Sequence, residues 1–204
     1  MKPLPAVLGR LVFAFSVLLS PATPAGSFVE TPFLADRVAE GRLPPVAERL
    51  PAVPAVADFS NKEIGRHGGE IRWLARRSRD IRIMNVYGYA RLVGYDTNLE
   101  LQPDILERLE VEDDRVFTLH LRPGHRWSDG APFTTEDFRY WWEDVALNRD
   151  LTPYGPDIRL QVDGELPTVE ILDETTVRFS WSKPNPAFLP ALAGASPLYI
   201  FRPA

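Results

Sequence analysis

A formal net charge of −5 over 204 residues gives this chain no basic face for nucleic acid. Its 45% hydrophobic content and five tryptophans supply a core, which excludes a disordered chain. It has no cysteine, hence no disulfide, thiolate metal site, cysteine nucleophile or lipidated N-terminal cysteine.

Residues 1–26 read as a secretory signal. Lys2 and Arg10 give a positive start, and Leu11 to Leu19 is an apolar run of nine residues. That is too short to span a bilayer, which takes about 20 residues. Pro21 to Gly26 is small and turn-forming, and cleavage is expected after Ala25. Export is therefore expected. Residues 27–64 form a Pro-rich extension. Phe33, Leu34, Arg37 and Val38 sit at helical spacing, and Leu43-Pro44-Pro45 stops the helix. Pro44, Pro45, Pro51 and Pro54 then favour extended chain, a tether expected to wrap the domain surface.

His67-Gly68-Gly69-Glu70-Ile71-Arg72-Trp73-Leu74 predicts a strand approached through two glycines. No Gly-Lys-Ser/Thr follows, so this is not a phosphate-binding loop. Arg76-Arg77-Ser78-Arg79-Asp80-Ile81-Arg82 lies just past it. Ligands gather beyond the carboxyl ends of strands in open α/β sheets. Arginines there suit an acidic or carboxylate ligand through paired hydrogen bonds, and a solvated loop balanced by Asp80 is the alternative. Residues 83–91 read as a helix, Leu92 to Asp96 as a strand, and Glu110 to Arg115 as a charged hairpin turn.

Val116 to Arg122 alternates apolar and polar, the period of a half-buried strand. Pro123-Gly124 ends it, and Ser128-Asp129-Gly130 is a second turn. Thr134 with Asp137 reads as a helix N-cap. Phe138, Trp141, Trp142 and Val145 then give one apolar helix face. Thr168 to Asp173 and Thr176 to Trp181 alternate around Asp173-Glu174-Thr175, a β-hairpin. A short helix is expected over 187–192 and a strand over 196–201.

The stretch LRPGHRWSDGAPFTTEDF, Leu121 to Phe138, resembles the signature of the family 5 extracellular solute-binding proteins, the peptide, nickel and oligosaccharide receptors of ABC importers. The His67–Leu74 segment, the Leu101–Glu107 segment and the 168–192 passage are similar to further family segments. The resemblance implies an α/β fold with a mixed sheet: the N-terminal part of a two-lobed periplasmic-binding-protein-like structure. Residues 65–204 would be part of lobe I, with a small α/β subdomain at about 83–180, and the second lobe would follow Ala204. It implies a periplasmic, monomeric receptor that binds a small solute such as a peptide and docks on membrane permease subunits, with no cofactor and no catalysis. Leu151-Thr152-Pro153-Tyr154-Gly155 matches the segment whose tyrosine touches the ligand in peptide-binding members. Tyr154 is thus the first candidate ligand contact, and Arg77, Ser78 and Arg79 in the loop after the first strand are the others. A phenol suits such a site, packing on apolar ligand while its hydroxyl bonds to a backbone group. The Gly-Pro after Tyr154 departs from the peptide binders, which leaves peptide, sugar, opine-like molecule and metal chelate open as ligands.

Other chemistry is absent from the pattern. His67, His120 and His125 show no metal-ligand spacing. No nucleophile elbow occurs, and Asp113-Asp114 and Glu143-Asp144 fall in a turn and on a polar helix face. A secreted α/β enzyme, and an interaction module or truncation product without function, are the alternative readings.

Overall fold

The computed structural model describes residues 28–57, 63, 65–70, 72–84, 90–194 and 196–204. The expected signal segment lies outside them. The extension forms helix α1 (Pro32–Ala39) and the short α2 (Val46–Arg49). Pro at the first position of α1 suits its start, because the missing amide is one of the unpaired donors there. A 3₁₀ turn covers Ser78–Met84.

A two-stranded antiparallel sheet pairs β1 (Val93–Tyr95) with β2 (Leu101–Pro103). Asp96 closes the connection, its carboxylate accepting from the amides of Asn98 (2.8 Å) and Glu100 (2.9 Å). A four-stranded antiparallel sheet then runs in the order β3-β4-β6-β5. Its strands are β3 (Leu106–Glu112), β4 (Val116–Leu121), β5 (Thr168–Asp173) and β6 (Thr176–Ser180). Both predicted hairpins form. Asp113 and Asp114 take positive φ (50° and 52°) at the β3–β4 turn, which Asp tolerates better than most residues.

The alternation of β4 and β6 decides what the sheet covers. Phe117, Leu119, Leu121, Val177 and Phe179 are buried on one face. His120, Arg178, Glu110 and Glu170 lie on the other, which is polar. Helix α3 (Glu136–Tyr140) continues as a π-helical turn over Trp141–Ala146, followed by a 3₁₀ turn at Ile158–Leu160 and helix α4 (Phe188–Ala193). The Leu147 amide reaches back five residues to the Trp142 carbonyl (3.1 Å). This turn shifts the predicted apolar face, so that Ala146 is buried and Val145 only half-buried.

Two aromatic groups fill the core. Phe188 of α4 packs on Phe117, Phe179 and Trp181 at ring separations of 5.0, 5.4 and 5.0 Å. Phe133 packs on Trp127, Phe138 and Phe201 at 5.3, 5.8 and 5.1 Å. These tilted and edge-on geometries favour the ring quadrupoles.

Two expectations are corrected. No strand forms among the described residues of 67–74. Gly68 and Gly69 do adopt left-handed φ (108° and 82°), but Trp73 is half-exposed and Leu74 fully exposed. A strand is stable only when a neighbour satisfies its amides and carbonyls, and no described strand lies alongside. Residues 196–201, expected as a strand, run as unpaired chain fixed by Leu198 N to Ala191 O (2.8 Å) and Arg202 N to Asp137 O (3.1 Å). The helix expected over 83–91 falls mostly on residues 85–89, which lie outside the described residues; Ile83 and Met84 close the 3₁₀ turn.

The extension packs as a strap on the end of β4. Ala52 N donates to Pro123 O (3.1 Å), Arg122 Nη1 to Val53 O (3.3 Å), and Pro51 is buried. Gly124 permits this contact. It sits at φ +89°, and a Cβ there would lie 3.3 Å from the Ala52 nitrogen.

Candidate functional site

The chemistry around the signature begins with Asp137, a carboxylate only 3% exposed. It receives three N–H donors: the amide of Thr134 (2.8 Å), the indole of Trp127 (3.2 Å) and the amide of Ala204 (3.1 Å). A buried carboxylate is tolerated when donors satisfy it. Thr134 returns the favour to the helix start, its hydroxyl accepting from Glu136 N (3.3 Å). Trp127, Thr134 and Asp137 therefore form a latch that closes the 126–132 hairpin onto α3. The hairpin is set by Trp127 N to Ala131 O (2.8 Å) and by the Asp129 carboxylate, which accepts from Ala131 N (2.9 Å).

Asp129 is exposed in its turn. The Arg139 guanidinium holds the Glu136 carboxyl below the usual carboxylate range, so it stays ionised and is no proton donor. Asp113 and Asp114 are likewise exposed. Among the described residues, no group of three or more His, Cys, Asp or Glu is placed to hold a metal ion.

The candidate contacts fall in two places. Arg77, Ser78 and Arg79 are exposed at the start of the 3₁₀ turn, where the Asp80 carboxylate accepts from the Arg77 amide (3.0 Å). Tyr154 is 97% exposed on a loop leaving the π turn. That loop is anchored behind it by Thr152 Oγ1 to Val145 O (2.8 Å) and Gly155 N to Thr152 O (2.9 Å). Leu151, three residues before it, and Ile158, at the start of the next 3₁₀ turn, are also exposed. No hydrogen bond or ring contact described here joins Tyr154 to the arginine turn.

Two cavities were not foreseen from the sequence, and neither is lined by these four residues. One, of about 620 Å³, lies beside the β1–β2 hairpin between Tyr95, Asp96, Gln102 and Gly194. The other, of about 870 Å³, lies between the strap and the signature hairpin. Leu34, Leu43, Leu50 and Trp127 give it apolar walls, and Arg37 and Glu48 are among its charged lining. The helical spacing of Leu34 and Arg37 was the only sequence signal. The opposing wall comes from residues far along the chain.

Comparison with known proteins agrees with the signature. The family described as bacterial extracellular solute-binding proteins, family 5 Middle, matches residues 100–202. The periplasmic oligopeptide-binding protein OppA of Salmonella typhimurium is 31% identical over 168 residues, covering 71% of this chain and 30% of its own length. The periplasmic alpha-galactoside-binding protein of Rhizobium meliloti is 28% identical over 170 residues, covering 73% of this chain and 24% of its own. A solved structure of an oligopeptide-binding protein OppA superposes with a TM-score of 0.69 at 34% identity, covering 84% of this chain and 27% of that one. The chain thus spans roughly a quarter to a third of the length of these relatives. Its mixed α/β architecture is that of the periplasmic binding proteins, and the chain belongs to the family 5 bacterial extracellular solute-binding proteins.

Proposed function

We propose that this chain is the N-terminal, ligand-facing part of a solute receptor that works outside the cytoplasm and delivers a peptide or similar small solute to an ABC importer. The exposure of Tyr154 carries this reading. A large amphipathic side chain is held 97% exposed by a loop whose base is fixed to the core. Such a ring covers apolar ligand surface and leaves its hydroxyl to bond a ligand backbone. Arg77, Ser78 and Arg79, exposed on their own turn, are of a chemistry that suits a ligand carboxylate. The receptor binds without chemistry: a solute enters between two lobes, hinge closure buries it, and the closed form docks on the permease. Affinity comes from apolar burial against a few placed polar groups, and the relatives' names, oligopeptide-binding and alpha-galactoside-binding, frame the solute classes. The signal-like residues 1–26 support export.

Mass spectrometry of small molecules that co-purify with the protein from its native host tests this reading. A solute that leaves on dialysis and rebinds with loss of affinity in Y154A is the expected result. Chemical conversion of that solute by the protein would overturn it. The 204-residue chain alone is expected to bind the solute weakly or not at all by calorimetry.

A further inference from the structure

We propose that the cavity between the strap and the signature hairpin is a second binding site, for a small zwitterion with an apolar body. Its volume of about 870 Å³ lies within the range of small-molecule sites, roughly 300–1,000 Å³. Leu34, Leu43, Leu50 and Trp127 are all only half-buried and line it, so apolar surface awaits cover. The charges around it are unequal in their commitments. Arg49 is taken by Glu30 and by the Pro44 carbonyl. Arg126 bonds the Gly130 carbonyl (2.9 Å), and Asp129 accepts from Ala131 N. Arg37 and Glu48 make no side-chain hydrogen bond or ion pair among the described residues, neither with each other nor with a neighbour. One cation and one anion thus line the same cavity without meeting. A ligand carrying an anionic and a cationic group at opposite ends of an apolar body satisfies both. A simple fatty anion would meet Glu48 as a like charge. The strap is not passive in this arrangement, since it supplies both charges and most of the apolar wall.

Leucyl-leucine is a suitable probe, titrated by calorimetry into the full chain, with decanoate and octylamine as single-charge controls. Leucyl-leucine should bind and the controls should bind at least several-fold more weakly. R37E should weaken the probe about tenfold, the loss expected when a charged hydrogen bond is removed and a repulsion added. The double variant R37E/E48R, which restores one charge of each sign, should recover most of that loss, which a structural role for Arg37 would not. Y154A should leave this binding unchanged, separating the cavity from the receptor cleft. No binding of leucyl-leucine, equal binding of decanoate, an unchanged affinity in R37E, or loss of binding in Y154A would each overturn the proposal. Matching near-ultraviolet circular dichroism of the variants establishes that they fold alike.

Discussion

The sheet of residues 106–180 and the stretch 65–84 are both read from sequence as strand-bearing, yet they end in opposite states. In the sheet, Leu119 and Phe179 are fully buried; in the stretch, Leu74 is fully exposed and Ile81 largely so. The difference lies in where each finds its partners. β3 and β4, and β5 and β6, are joined by tight turns, so each strand carries its neighbour with it. The 67–74 segment has alternation and a glycine approach but no adjacent strand among the described residues. Periodicity describes a face, and a face folds only against something.

This contrast can be broken most severely at Phe188. Its ring touches Phe117, Phe179 and Trp181 and is fully buried. F188A should cost about 3–5 kcal/mol by loss of burial plus the cavity left behind, read as a drop in the urea midpoint. A loss below about 1 kcal/mol would mean that α4 is not part of the sheet's core. D137N should cost less, about 1–3 kcal/mol. The amide keeps the shape but puts a donor in place of one of the two oxygens, Oδ2 facing Thr134 N or Oδ1 facing Trp127 Nε1. Indole fluorescence should then change with the 126–132 hairpin, while the β5–β6 hairpin keeps its amide protection.

Acid should weaken the sheet side of the comparison. Burial holds the His120 and His125 imidazoles below the ordinary value of 6.5, with the Arg108 and Arg122 guanidiniums acting in the same direction. A folded pKa below the unfolded one means that the unfolded chain binds more protons in that interval. Stability is then fully present above about pH 6.5 and lost as pH falls through the folded values. The melting temperature should fall between about pH 6.5 and pH 5, and H125Q should flatten that slope. An unchanged slope in H120Q/H125Q would remove these groups as the cause.

What was legible in the sequence follows the same division. The alternation of 116–122, the 173–175 turn and the Thr134–Asp137 cap all concern residues close in sequence, and all three form. The latch was half visible. Thr134 with Asp137 is a local pattern, whereas Trp127 Nε1 and Ala204 N reach the same carboxylate only through the tertiary fold. The π turn was hidden because apolar spacing reports which side chains are buried, not which carbonyl each amide chooses. The prolines of 27–64 predict a tether that wraps the domain surface, but nothing in them reveals that Pro51 and Ala52 come to rest on Gly124. Of the candidate contacts, Tyr154 and Arg77, Ser78 and Arg79 are exposed, as a ligand surface requires. Exposure alone does not bring them to one ligand.

The smallest effect sharpens the contrast furthest. Leu74 makes no buried contact, so L74S should change the urea midpoint by less than about 0.5 kcal/mol in the 204-residue chain. The same substitution at Leu119, which is fully buried on β4, should cost several-fold more. Hydrogen exchange gives the paired readout: amides of β4 and β6 should exchange near the global unfolding limit, and those of 72–75 without protection. If L74S proves as costly as L119S, residues 67–74 are packed in solution and the missing neighbour is present after all. If L74S is silent, the alternation of 67–74 marks a face that no neighbour covers in this chain.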